Sequence, residues 1–261
     1  MKSAIGDAQE ANKKGFGVLI NFLGEEIKDQ TKAELQVKEY LALQQAISDN
    51  GVNARASVKL TQFGLLTDER AAAERLEKVA ANADRLKQPL WVDMEGSSVV
   101  EATLRIYTET LARHKQLGVA LQSYMRRSEG DLNMLLDKGA WVRLVKGAYK
   151  EPRETVFPTR REINMNFEKE LEMLFERGDH FAVATHDSKL VDKAKKFAES
   201  KHVDFEFVML KGIRNELKEE LVKSGYKVSE YLPYGDQWMA YSRRRMTEHP
   251  SNVWLLLRSL V

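Results

Sequence analysis

Short runs of β-branched and aromatic residues recur along the chain, each followed by a longer stretch whose apolar positions return every three to four residues. The runs cover 17–24, 54–64, 90–96, 118–125, 140–149, 181–187, 204–210 and 227–235, and their length and apolar character predict buried strands. The stretches between them, such as "TKAELQVKEYLALQQAISDN" and "TDERAAAERLEKVAANADRLK", have the period of amphipathic helices. Several open with Thr, Ser or Asp, whose side-chain oxygen satisfies the first free amides of a helix. Eight strand-then-helix units fit the roughly 250 residues of a (β/α)8 barrel. The expectation is an α/β fold: one TIM-type barrel over residues 1–261, with a short N-terminal arm (1–16) and C-terminal helices (236–261). No linker, low-complexity segment or shorter repeat divides it.

Composition narrows the function classes. With 41 Lys plus Arg against 39 Asp plus Glu, the net charge of +2 argues against a nucleic-acid binder and makes any basic cluster a local matter. The absence of cysteine excludes disulfides, thiolate metal sites and thiol nucleophiles. No apolar run has the length of a membrane span, and the first residues lack the apolar core of a signal peptide. The expected location is the cytoplasm. No second His or carboxylate completes a metal-ligand spacing near His186, so no metal site is expected.

A barrel builds its site where strands end and βα loops begin. The polar residues read at those ends are Glu25, Lys59, Asp93, Gln122, Arg143 with Lys146, His186, Glu206 and Tyr231. Each has a plainer reading. Lys59 either snorkels outward or points into the barrel, where it needs a partner. Asp93 is either an inner-site carboxylate or the cap of the next helix, a role Ser97 or Ser98 could also fill. His186 is either a structural donor or a functional group. In "VRLVKGAY" (142–149) two cations bracket one strand end, and Gly147 would let a flat or phosphorylated ligand approach the backbone. In "YLPYGDQWMAYSRRR", Tyr241, Arg244 and Arg245 fall at i, i+3 and i+4 of a helix beginning near Asp236, so they share a face. Two guanidiniums there suit one small carboxylate. Arg243 points elsewhere, as a solvated charge.

Taken together, "YLPYG" through "AYSRRRMTEHPSNVW", with "VRLVKGAY", "SVKLTQFG", "FLGE" and "FEFVML", resemble the proline dehydrogenases, flavin-dependent enzymes of proline catabolism. The resemblance runs from about residue 17 to the end. It implies a distorted (β/α)8 barrel that holds FAD and oxidises L-proline to Δ1-pyrroline-5-carboxylate by hydride transfer. It also implies roles. Arg244, Arg245 and Lys59 would clamp the substrate carboxylate, while Tyr241, Tyr231, Leu210 and Tyr149 would enclose the ring. Asp93 would support Lys59, and Glu25 would face the arginine pair as a gate. Arg143 would lie near the flavin N5, with Gln122, Val145, Lys146, Gly147, Ala148, Thr185, His186 and Arg160 lining the cofactor and Glu248 bracing the terminal helix beside it. The bulk of Tyr231 implies a preference for proline over 4-hydroxyproline.

Departures from the family pattern are Val208, where a glutamine is usual, Lys211, and Arg160, Asn164 and Phe167 in "PTRREINMNF". They bear on the cofactor side and leave the clamp intact. The implied partners are a quinone-type electron acceptor, with "VWLLLRSLV" read either as membrane contact or as a helix packed across the barrel, and a separate pyrroline-carboxylate dehydrogenase. Two rival readings share the fold: a flavin-free lyase or aldolase with a Schiff base on Lys59 or Lys146, and an inactive proline-binding relative.

Overall fold

In the computed structural model, which describes residues 1–201 and 203–235, eight parallel strands close into a barrel in chain order. They are β1 (Gly17–Phe22), β2 (Ala54–Val58), β3 (Leu90–Val92), β4 (Leu117–Gln122), β5 (Trp141–Val145), β6 (His180–Ala184), β7 (Asp204–Leu210) and β8 (Lys227–Tyr234). Closure runs between the first strand and the last, from Gly17 opposite Ser229 to Phe22 opposite Tyr234. The intervening helices are α2 (Gln30–Asp49), α3 (Glu69–Arg85), α4 (Ser97–Leu111), α5 (Ser128–Asp137), α6 (Arg160–Arg177), α7 (Ser188–Ser200) and α8 (Asn215–Lys223). The predicted barrel is therefore present, and all eight strands lie within or overlap the predicted runs.

Local chemistry explains the helix starts. Asp29 accepts from Thr31 N and Lys32 N, Asp68 from Ala71 N and Asp187 from Lys189 N, and Thr159 with Glu162 forms a capping box ahead of α6. Each such cap contributes about 1 kcal/mol. Helix α3 buries Ala72, Leu76, Val79, Ala80 and Ala83, the stripe that a 3.6-residue period turns toward the strands. Inside the barrel a separate apolar layer of Leu19, Trp91, Ala182 and Val208 fills the centre. Side chains alternate along each strand, so polar inward residues stand above and below this layer.

Three readings are corrected. Residues 1–16, expected as an arm, contain helix α1 (Lys2–Lys13), which buries Ala4, Ile5, Ala8 and Ala11 and packs against β1 and β8. The run 54–64 is a strand only to Val58; Leu60–Phe63 form a 3-10 turn ended by Gly64 in the left-handed region. Glu206, read as a strand-end site residue, is the third residue of β7 and points inward near the N-terminal end of the barrel. There it pairs with Arg55 and accepts from Ser229 Oγ at 2.6 Å. The predicted C-terminal helices over 236–261 lie outside the described residues.

Candidate active site

Asp93 organises the C-terminal mouth of the barrel. It follows β3 directly, and its carboxylate receives the Arg143 guanidinium from β5, Ser57 Oγ from β2 at 2.9 Å, Tyr231 Oη from β8 at 2.6 Å and Lys59 Nζ at 3.4 Å. Burial pushes its pKa up, but the Arg143 and Lys59 charges with the Tyr231 and Ser57 hydrogen bonds outweigh that and bring it down to about 2. Asp93 does not cap α4, and neither does a serine hydroxyl. The α4 start is capped from another loop, where Glu151 accepts from Ser97 N at 2.7 Å.

Lys59 points inward. Its ammonium donates to Asn21 Oδ1 at 2.9 Å as well as approaching Asp93, which removes the snorkelling reading. Arg143, 3% exposed, stacks over the Trp91 and Tyr231 rings at 5.4 and 5.5 Å. Its Nη1 is buried with no hydrogen-bond partner among the described residues. Two cations thus meet one carboxylate in this group, leaving positive charge in excess. Glu95 is buried nearby; burial raises its pKa, and its oxygens accept from Thr61 N and Thr61 Oγ1 at 3.1 and 2.5 Å.

A second polar group stands at the ends of β5 and β6. Lys146 Nζ donates to Asp187 Oδ2 at 2.8 Å, and the exposed Arg160 reaches the same oxygen at 3.9 Å. Burial pushes the Asp187 pKa up, but Lys146 prevails and holds it below the usual carboxylate range. Thr185 Oγ1 accepts from Asp187 N. His186 Nε2 accepts from Leu210 N at 2.9 Å, which puts the ring proton of the neutral form on Nδ1. Gln122 is buried and donates to Glu95 O at 2.8 Å. Val145, Ala148 and Tyr149 are half-buried around the β5 end, as are Leu210 at the end of β7 and Glu25 in the loop after β1.

Gly147 has φ +106°, and a Cβ there would overlap the Tyr124 ring. The reason for glycine is therefore Tyr124, from the β4 loop, in addition to any ligand. Val208 packs in the apolar layer with Leu19, Trp91 and Ala182. Phe167 is fully buried in the outer core, while Asn164 Oδ1 is buried without a partner among the described residues. Tyr241, Arg244, Arg245 and Glu248 lie outside the described residues.

Asn21, Ser57 and Asp187 were not singled out as site residues. Asn21 sits two residues after the inward Leu19 and Ser57 two residues before Lys59, so alternation in "LINFLG" and "ASVKL" carries the signal; Asp187 caps α7 and also receives Lys146. No helix among the described residues is long and apolar enough to cross a membrane, and no metal-ligand cluster occurs among them.

Known proteins share this arrangement of strands and loops. The family model for proline dehydrogenase matches residues 4–255. Proline dehydrogenase 2 of Bacillus subtilis is 33% identical over 254 residues, covering 96% of this chain and 84% of its own. The proline dehydrogenase of Deinococcus radiodurans is 31% identical over 269 residues, covering 100% and 87%. Among solved structures, proline utilization A from Bdellovibrio bacteriovorus superposes with a TM-score of 0.89 at 25% identity, covering 97% of this chain. The present chain spans 32% of that longer protein. A family match over almost every residue, joined to curated relatives aligned along most of their length, has one consequence: the chain belongs to the proline dehydrogenase family.

Proposed function

We propose that the protein is an FAD-dependent enzyme that oxidises L-proline to Δ1-pyrroline-5-carboxylate. The observation that carries this reading is the excess positive charge where Lys59 and Arg143 share Asp93. A buried cation without full compensation is costly, and the carboxylate of an amino acid supplies the missing charge. Lys59, with Arg244 and Arg245, binds that carboxylate; Tyr231, Leu210, Tyr149 and Tyr241 enclose the ring and exclude water. Glu25 pairs with the arginines when substrate is absent.

The donor set suits a flavin dinucleotide. Arg143 Nη1 is a buried donor with no partner among the described residues, and Lys146 with Arg160 at Asp187 offers cations to a diphosphate. Gln122, Val145, Gly147, Ala148, Thr185 and His186 complete the proposed lining, and Glu248 braces it. FAD, when bound, supplies the hydride acceptor; this chain's residues supply position and electrostatics. The substrate loses a hydride from ring carbon 5 and a proton from nitrogen as the C=N bond forms. A quinone-type acceptor then takes the electrons, and a separate dehydrogenase consumes the product, which fits a cytoplasmic enzyme in peripheral contact with a membrane. The Schiff-base reading gains nothing, because the Lys59 and Lys146 amines are each turned to a carboxylate, Asp93 and Asp187.

The test is a visible absorbance spectrum of the purified, FAD-incubated protein before and after anaerobic L-proline. Bleaching of a flavin band supports the proposal; a flavin that stays oxidised, or none bound, refutes it. Arg244→Met is expected to remove most proline turnover, and an unimpaired variant would sink the clamp.

A further inference from the structure

Resting on the reading of Leu210 and Tyr231 as walls around the substrate ring, we propose that Lys218 and Glu230 are a positioning pair that sets the distance between those walls. The pair thereby fits the pocket to a five-membered ring.

Lys218 stands on α8, outside the strands, and is fully buried. Its ammonium meets the carboxylate of Glu230 on β8, approaches the Leu210 carbonyl oxygen at 3.4 Å and lies 5.6 Å from the centre of the Phe16 ring. Two oxygens and an aromatic face therefore surround its three N–H donors. Glu230 precedes Tyr231, and the register of the sheet sets Leu210 opposite Tyr231 and Met209 opposite Glu230. Alternation turns Leu210 and Tyr231 inward and Glu230 outward, toward α8. The Leu210 peptide is gripped on both sides. Its N–H donates to His186 Nε2 at 2.9 Å, and its oxygen accepts from Ile213 N at 3.2 Å as well as from Lys218. A single ammonium thus joins the backbone of one wall to the residue beside the other.

Stability does not explain the pair. Burial lowers the Lys218 pKa even with Glu230 alongside, and exchanging a buried ion pair for apolar side chains of similar volume is often neutral or stabilising. What an apolar pair does not supply is a donor for the Leu210 carbonyl and a directional link between α8 and β8. Direction matters here because Arg214, at the start of α8, is a non-glycine residue with φ 54°. That left-handed turn carries strain, and the bonds of Lys218, one helical turn further on, hold α8 against it.

Calorimetric binding of cyclopentanecarboxylate and cyclohexanecarboxylate to the FAD-incubated wild type and to Lys218→Met/Glu230→Leu tests this. The double variant leaves neither buried charge unpaired. The two acids differ by one methylene, which a fitted apolar pocket distinguishes by about tenfold or more. Wild type is expected to favour the smaller acid by that margin, and the double variant to lose most of it. A ratio equal to that of wild type overturns the proposal, including the case in which both affinities fall in parallel, which a merely structural role produces. A wild type that binds both acids alike overturns it as well. If the double variant does not fold, Lys218→Gln/Glu230→Gln, which keeps hydrogen-bonding groups but shortens the arm at 218, decides by the same ratio. Failure of the site reading is separately visible, because the wild type then binds neither acid and is not reduced by proline, and the proposal falls with it.

Discussion

Replacing Asp93 by Asn tests the centre of the site directly. The new amide nearly matches the carboxylate in shape and keeps one oxygen, enough to accept from Ser57 or from Tyr231, which address different carboxylate oxygens, but it removes the anion that Arg143 and Lys59 share. The Asp93 pKa falls from its ordinary 3.8 to about 2. At about 1.4 kcal/mol per tenfold change in proton affinity, the fall corresponds to between about 2 and 3 kcal/mol in favour of the ionised folded protein. Because the folded pKa is depressed, this stabilisation is fully present above pH 3.8 and is lost only as pH falls toward 2. Neutral-pH measurements therefore see all of it. Removing one partner of a buried charge group costs roughly 3–5 kcal/mol, so about 3 kcal/mol is a reasonable expectation. For a chain of this size that lowers Tm by roughly 6–12 °C. Thermal unfolding of wild type and Asp93→Asn at pH 7 and low salt reads the difference. A variant within about 1 °C of wild type, where roughly 2–4 °C accompanies each kcal/mol, would show that Asp93 does not compensate the two cations in the folded protein.

Other groups answer to pH and packing. Burial raises the Glu170 pKa from 4.5 to about 7, with Asn166 Nδ2 donating to it at 3.0 Å. The unfolded chain releases this proton first, so wild-type stability should decline by about 3 kcal/mol between pH 4.5 and 7 on this account. Glu170→Gln should abolish that decline, and denaturant midpoints with parallel pH dependence would refute it. His114 bonds Asp84 at 2.6 Å and Glu77 at 2.8 Å, with Arg113 also on Glu77; burial lowers its pKa, but the two carboxylates prevail and raise it above 6.5. The stability difference between wild type and His114→Gln should therefore be largest below pH 6.5 and shrink as pH rises through the folded pKa, and a difference that grew with pH in urea melts would contradict this. Gly147→Ala meets both the positive φ and the Tyr124 ring, and should cost several-fold in FAD affinity by fluorescence titration; unchanged affinity would mean that the loop adapts freely. Finally, comparable turnover of 4-hydroxyproline and proline would refute Tyr231 as a steric filter.

The barrel was legible because strands buried on both faces produce near-continuous apolar runs, and eight such runs leave little choice of topology. Strand ends were less legible, since hydrogen-bond closure is not written in residue type: the "SVKLTQFG" run reads as one strand but turns into a 3-10 helix after Lys59. Glu206 misled for the same reason, because direction along a strand decides which mouth an inward side chain faces. The charged members of the site were found through chemistry and family likeness, whereas Asn21 and Ser57 are common residues whose importance comes only from what the barrel sets opposite them. The N-terminal helix could have been seen in the spacing of Ala4, Ile5, Ala8 and Ala11.

Closure of the sheet has a kinetic side. The ladder from Gly17–Ser229 to Phe22–Tyr234 joins segments more than two hundred residues apart, the kind of contact whose loop-closure entropy must be met before it stabilises anything. During synthesis β1 waits with an open edge until β8 has left the ribosome. Tyr231 arrives on that last strand and completes the hydrogen bonds around Asp93. Closure of the barrel and completion of the hydrogen-bonded group around Asp93 are therefore a single late event, so a chain interrupted before β8 carries Lys59, Asp93 and Arg143 without the strand that joins them.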